Sequence, residues 1–321
     1  MCGALVTSDV VHSNVSVFDG ERLRTNQWFS RQEGAIRWGE GDAPIDSPAS
    51  RGDGRIITPL LVDTHVHGGG GYSAERGADD MARVLEFHRQ WGTGPSFLSL
   101  MTDTIDNICQ QLDSARAVSD PHFLGIHLEG PFLAENHRGC HPPQKLLSPT
   151  DEDIARLITA GAGVLRSITI APELISARQV SMLIDGGIVV CLGHTDATYA
   201  QTRAMFDQGA RVLTHAFNGM PGIHHREPGP VMAAIDGEHF TELIADGHHV
   251  HEPVARLLPA EKVILVTDAM SATGQPDGDY TLTLDPGLTS FDGEEAGGWT
   301  STFTLGEPPP AGCACSTPPG P

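Results

Sequence analysis

Apolar and polar positions fall into two textures that change at Ile56. Up to about residue 55, short polar and apolar alternations are broken by Asp19-Gly20, Gly39, Gly41 and Gly52-Asp53-Gly54, the pattern of small strands joined by tight turns. From Ile56 onward, strand-like apolar runs recur at 56–63, 97–101, 123–128, 164–170, 188–192, 211–214, 242–245 and 263–267. Between them, residues 79–91, 151–160, 177–185 and 197–208 carry apolar side chains at helical spacing. Strands that alternate with helices eight times predict an α/β fold, a (β/α)8 barrel. A doubly wound open sheet is the alternative, but it does not explain why polar residues of metal-binding type recur at strand C-terminal ends, which a barrel collects in one mouth. From about Gly287 the chain turns to Gly, Pro, Thr and Ser without periodicity, and residues 307–321 predict no regular structure. The expected organisation is a β-rich flank at 1–55, a barrel at 56–285 and an atypical tail at 286–321.

A length of 321 residues suits such a barrel, typically about 250 residues, with a small appendage. The formal charge of −21, from 41 acidic and 20 basic residues, opposes binding to nucleic acid and to anionic membranes. A small anionic substrate would need a locally basic pocket. No signal-peptide pattern opens the chain and no apolar run nears the roughly 20 residues of a membrane span, so a soluble cytoplasmic protein is expected. Six cysteines are too sparse for a disulfide framework. Cys313 and Cys315 lie in a Pro-rich tail, where a chance pair is the simpler reading than a metal site.

Candidate chemistry begins at His65-Val66-His67. Alternate residues of a strand point the same way, so two imidazoles face one point, and Gly68 to Gly71 then end the strand and let backbone pass close to whatever ligand those imidazoles hold. At or just after the other strand ends stand Glu129, His194, His215, His249 and Asp268. Singly, such a histidine reads as a hydrogen-bonded structural residue and such a glutamate as a helix cap. Gathered in one mouth, they would carry a large desolvation and repulsion cost unless compensated, and one or two divalent cations compensate it. Histidine and carboxylate donors without cysteine favour zinc, iron or manganese, and Glu129 could bridge two ions. Water bound to such an ion loses a proton near neutral pH and becomes a nucleophile for hydrolysis. Asp268 could take that proton and return it to a leaving amine.

These residues resemble the amidohydrolase superfamily and, within it, the N-acetylglucosamine-6-phosphate deacetylase family. The resemblance spans about residues 56–284 and rests on VDTHVHGGGG (62–71), GIHLEGPFL (125–133), LGHTDA (192–197), THAFNGMPGIHHREPG (214–229), IADGHHV (244–250) and LVTDAM (265–270). It implies a first metal site of Glu129, His194 and His215, a second of His65 and His67, and Asp268 as the catalytic acid and base. By the same likeness His141 polarises the acetamide carbonyl, Arg226 and His249 recognise phosphate, and Asn218 and Gly219 lie in the loop that contacts the sugar. Arg226 also makes independent sense as one of few cations in an acidic chain, since a guanidinium fork suits phosphate. An ion pair with Glu227 is its plainer reading. Cys140 could be reactive at the mouth, or could simply pack.

The implied reaction is metal-dependent hydrolysis of N-acetyl-D-glucosamine 6-phosphate to D-glucosamine 6-phosphate and acetate. The implied assembly is a homodimer acting on a small amino-sugar phosphate. The family pattern also implies a small β-sandwich completed by the N-terminal strands and a C-terminal segment. Gly297 to Leu305 resembles the loop after the eighth strand, with Ser301 facing substrate, but Trp299 and Thr300 stand where small residues are expected. Nothing after Leu305 resembles a final helix or closing strands, so a truncated or frame-shifted C-terminus is expected. Two alternatives remain: an amidohydrolase acting on another amide, and an inactive truncated fragment that binds metal or sugar phosphate. The first commonly uses a carboxylated lysine, but Lys145 and Lys262 are not at suitable strand ends.

Overall fold

The structure is a computed structural model; it describes residues 11–32, 35–43, 49–51, 54–276, 279–283 and 300–304. Two compact units are present, one of residues up to Val62 with Arg89–Gly94, the other of Asp63–His88 with the chain from Pro95 on.

The first unit carries a sheet of β1 (Val11–Phe18), β2 (Leu23–Gln32), β3 (Ala35–Glu40), β4 (Ala49–Arg51) and β5 (Ile56–Ile57). β1 pairs antiparallel with β2 and parallel with β4 and β5. Val15, Val17 and Phe29 form its small core, with Ile57 packed against them. Ile56 and Ile57 therefore belong to this sheet and not to the first barrel strand, because Ser16 and Val17 offer them a parallel partner.

The barrel consists of β6 (Leu61–Val66), β9 (Thr93–Leu100), β10 (Phe123–Glu129), β11 (Leu165–Ile170), β12 (Val189–Leu192), β13 (Val212–Leu213), β14 (Phe240–Ile244) and β15 (Val263–Val266). They hydrogen-bond in that order as one parallel sheet. A parallel bridge between Val66 and Ala269 joins its two ends at the mouth, reinforced by His67 and Gly68 N–H groups donating to the Ala269 carbonyl at 2.9 and 2.8 Å. A (β/α)8 barrel results. The helices α1 (Ala78–Arg89), α2 (Ile105–Ala115), α3 (Asp151–Gly161), α4 (Ala177–Asp185), α5 (Tyr199–Asp207), α6 (Gly229–Asp236) and α7 (Glu252–Ala255) follow successive strands. Their buried residues recur at helical spacing, as in Ile105, Ile108 and Leu112 of α2, and join one core with the strand residues Leu98, Ile126, Ile168 and Val190. Thr104 and Thr150 cap α2 and α3, and full capping boxes open α4 and α5, which satisfies amide donors that a helix start leaves unpaired.

The glycine run after β6 forms the hairpin β7 (Gly68–Gly69) and β8 (Tyr72–Ser73). A Cβ on Gly68 would lie 2.4 Å from the Tyr72 carbonyl oxygen and 2.7 Å from the Ser271 nitrogen. The close approach these glycines allow is thus to the chain's own backbone, and in Gly69 and Gly70 to the Phe87 ring, a different purpose from the ligand approach expected of the run. A last antiparallel pair, β16 (Asp279–Thr283) with β17 (Thr300–Thr304), places the Ser301 backbone opposite Leu282. The tail from 305, with Cys313 and Cys315, lies outside the described residues.

Candidate metal centre and active site

Strand ends place the donors. His65 is near the end of β6, His67 just beyond it, and Glu129 closes β10. His194, His215 and Asp268 each sit two residues past β12, β13 and β15. At those three the backbone turns left-handed, with φ of 45°, 25° and 49°, which swings each side chain inward where a continued strand would alternate away.

Glu129 is the hub. Its Oε1 lies 3.0 Å from both His194 Nε2 and His215 Nε2, and 3.6 Å from His65 Nε2. Its Oε2 lies 3.2 Å from His67 Nε2 and 3.1 Å from His141 Nε2. Asp268 Oδ1 is 3.5 and 3.4 Å from Nε2 of His65 and His67. The residues His65, His67, Glu129, His194, His215, His141 and Asp268 are all buried.

The far ring nitrogens tell ligand from donor. Nδ1 of His194 donates to the His137 carbonyl at 2.7 Å, that of His215 to the Asn218 carbonyl at 3.2 Å, and that of His65 to Glu242 at 3.1 Å. A proton fixed on Nδ1 leaves a lone pair on Nε2. Nε2 of His194 and His215 then face each other 3.1 Å apart, and His65 Nε2 faces His67 Nε2 at 3.2 Å, although among the described residues no hydrogen bond at His67 Nδ1 fixes the tautomer of that ring. Lone pairs aimed together beside a carboxylate fit a divalent cation. His141 is the opposite case: the Thr102 backbone N–H, which can only donate, points at its Nδ1 at 3.3 Å, so the proton is on Nε2 and is offered to Glu129 and the pocket. Proximity groups His141 with Glu129 and His194 as a possible ligand set, beside His65, His67 and Asp268. The tautomer instead makes His141 a hydrogen-bond donor, while His215 Nε2 lies 3.0 Å from the same Glu129 oxygen as His194.

The field around the donors favours positive charge. Burial lowers the basicity of His65 and His67, yet Asp268 and Glu129 lift His65 well above its ordinary range, and Glu129 and Glu75 lift His67 to about 9. Burial likewise raises the Glu129 carboxyl, but His194, His65 and the hydrogen bond from His141 hold it well below the usual carboxylate range. His141 is pushed down to about 4, chiefly by burial against the opposing pull of Glu129, and so stays a neutral donor. Burial, with Glu129 nearby, raises Asp268 against the pull of His65 and His67, the direction a proton carrier needs.

A pocket of about 390 Å³ opens above this cluster. Asn218, Gly219 and His249 line it beside the donors, with Met101, Cys140 and Met270 giving it an apolar side. Asp246 holds His249 through Nδ1 at 2.6 Å.

Known proteins resemble the chain along this stretch. N-acetylgalactosamine-6-phosphate deacetylase of Escherichia coli O157:H7 is 38% identical over 250 residues, which cover 74% of this chain and 66% of that protein. N-acetylglucosamine-6-phosphate deacetylase of Danio rerio is 32% identical over 304 residues, 88% of this chain and 72% of the relative. The chain belongs to the N-acetylglucosamine-6-phosphate deacetylase family. A solved structure agrees: a mutant N-acetyl-D-glucosamine-6-phosphate deacetylase from Mycobacterium smegmatis, in complex with N-acetyl-D-glucosamine-6-phosphate, superposes with a TM-score of 0.77 at 35% identity over 84% of this chain and 73% of that one. No family model matches the chain. The stretch shared with the E. coli relative is just under two thirds of that protein's length, at 66%.

For this deacetylase-family chain, the structure brings together every residue expected at the metal centre, together with His141, Asn218, Gly219 and His249. Arg226 is not among them; it is exposed and absent from the pocket lining, its backbone N–H donating to His224 Nδ1 at 3.3 Å. Only the backbone of Ser301 is described. Four buried residues escape sequence reasoning: Glu242, behind His65; Glu75, whose Oε1 is 3.7 Å from His67 Nδ1; Thr102, behind His141; and His127, whose ring stacks edge-on beneath His65 at 4.4 Å. Glu242 and His127 lie inside strands that read as apolar runs, where a polar residue facing the barrel interior was the available signal.

Proposed function

We propose that the chain hydrolyses the acetamide of N-acetyl-D-glucosamine 6-phosphate to D-glucosamine 6-phosphate and acetate. The observation that carries this is the tautomer pattern around Glu129: imidazole lone pairs of His65, His194 and His215 converge on it, while one imidazole, His141, turns an N–H into the pocket.

Glu129, His194 and His215 would hold one divalent cation, and His65 and His67, with Asp268 close by, a second. A cation there supplies Lewis acidity toward the amide carbonyl and toward water. Asp268 accepts a proton from the attacking water and delivers it to the amide nitrogen as the C–N bond breaks. His141 Nε2–H donates to the carbonyl oxygen as negative charge grows there. Asn218, Gly219 and His249 orient the sugar phosphate, with Arg226 and Ser301 assigned to the same task by family likeness. Zinc or iron is the proposed metal and a cytoplasmic homodimer the proposed form; no described helix is long and apolar enough to cross a membrane.

The E. coli relative at 38% identity is named for the galactosamine epimer, which favours a second reading with that sugar as substrate. Acetate release from each N-acetylhexosamine 6-phosphate, with elemental analysis and light scattering of the same preparation, tests these readings. Turnover of the gluco epimer is expected. Preference for the galacto epimer selects the second reading, and metal uptake without acetate from either sugar overturns both.

A further inference from the structure

Glu242 lies in the middle of β14, 4% exposed and outside the pocket lining. Its Oε2 accepts from His65 Nδ1 at 3.1 Å and its Oε1 from Thr64 Oγ at 3.2 Å. Among the described residues His65 is its only ion-pair partner. A carboxylate buried this deeply is costly unless positive charge answers it. The imidazole alone does not remove that cost when neutral, but a cation at the opposite ring nitrogen does, because a carboxylate on Nδ1–H raises the basicity of Nε2 and fixes the ring.

The two halves of the centre differ on this point. His194 and His215 rest their Nδ1 on neutral backbone carbonyls of His137 and Asn218, and take their negative charge from Glu129 Oε1 at 3.0 Å. His65 is 3.6 Å from that oxygen and has its own carboxylate behind it. Glu242 is also tied to the other half only through its backbone, whose carbonyl accepts from Ala216 N–H at 2.8 Å. A side-chain substitution therefore acts on the His65 half alone.

We propose that Glu242 is a positioning residue for the His65–His67 half: it fixes His65 with its proton on Nδ1 and supplies the negative charge that lets this half hold a divalent cation of its own. The proposal rests on the metal reading given above. Thr64 completes it by occupying the second oxygen, so that the carboxylate cannot rotate away from the ring.

The test is calorimetric titration of the metal-stripped full chain with zinc, together with elemental analysis after dialysis and melts of each metal-free variant. The wild type is expected to show two zinc events, one abolished by His65→Ala and one by His194→Ala. Glu242→Gln keeps the size and hydrogen-bond reach of the side chain; it should leave the metal-free melt unchanged and weaken the His65 event about 10- to 100-fold, with the His194 event at wild-type affinity. Thr64→Val removes the hydroxyl that holds Glu242 Oε1 while leaving the His65 and Glu242 side chains themselves unaltered; it should weaken the same event by a smaller factor, and carries the test should Glu242→Gln fail to fold. Equal weakening of both events, or none in either variant, overturns the role of Glu242. A single wild-type event untouched by His65→Ala overturns it too while leaving the Glu129 site standing. A wild type that takes up no zinc overturns the metal reading itself.

Discussion

His194, His215 and Asp268 carry positive φ values without being glycine, a conformation that costs on the order of 1–3 kcal/mol per residue. A backbone hydrogen bond at or directly after each residue helps to hold it. Asp268 N–H donates to the His65 carbonyl at 2.9 Å, Thr195 N–H to Gly219 at 3.0 Å and Ala216 N–H to Glu242 at 2.8 Å. Asp268 is then well placed for proton transfer, and Asp268→Asn is expected to keep metal while lowering kcat by roughly 10²- to 10⁴-fold, the usual worth of a general acid and base. Elemental analysis of the variant separates the roles, since equal loss of metal and rate would make Asp268 a ligand first. His141→Ala tests the tautomer argument. Metal content should stay at the wild-type level while kcat falls about 10²- to 10³-fold, as for removal of an oxyanion donor; a drop in metal content would return His141 to the ligand set.

Among the elements, strands with continuous apolar runs were the most legible: β10, β11, β12 and β15 lie within a residue or two of their expected spans. β9 starts earlier than its apolar run predicts. It begins at Thr93, whereas the apolar run begins at Phe97, because Gly94, Pro95 and Ser96 are extended by pairing with their neighbour: Ser96 N–H donates to the His122 carbonyl at 2.8 Å. Pairing partners far away in sequence override local propensity in strands. The β7–β8 hairpin was invisible for a related reason, since Gly68 is required by the Ser271 backbone two hundred residues on. Gly68→Ala should destabilise the fold by about 1–3 kcal/mol, the range for overpacking, measured as a lower urea midpoint with an unchanged m-value. A neutral result would mean that the hairpin shifts freely to admit a methyl group.

At the scale of the molecule, Glu129, Glu242 and Asp268 put three carboxylates into the buried centre. Removing cations from such a cluster should cost stability, by about 2.7 kcal/mol when metal had been at a hundred times its dissociation constant. Chelation is therefore expected to lower Tm by roughly 4 °C for a chain of 321 residues, with zinc restoring it, and a melt indifferent to chelator would argue that the centre holds its fold without metal. Substrate charge is the other global quantity. Arg226→Ala should raise KM for the phosphorylated sugar at least tenfold, on the order of one charge-assisted contact, and leave hydrolysis of the unphosphorylated sugar unchanged. Because Arg226 is exposed in the structure, equal KM values for variant and wild type would mean that the guanidinium stays in solvent when substrate binds.

The order of strands and helices, and with it the barrel, was determined by the sequence through the periodicity of apolar residues, which is local and survives reading one window at a time. The same reading picked out His65, His67, Glu129, His194, His215 and Asp268, because residues just past apolar runs must meet wherever parallel strands all end on one side. What each imidazole does there was decided only by tertiary structure. His141 and His194 look alike in a sequence; a Thr102 amide donor behind one ring and a His137 carbonyl acceptor behind the other set which nitrogen keeps its proton. Glu242 and Thr102 stand well over a hundred residues and some forty residues from the imidazoles they serve, and only the closed barrel brings a partner from that distance to within a hydrogen bond.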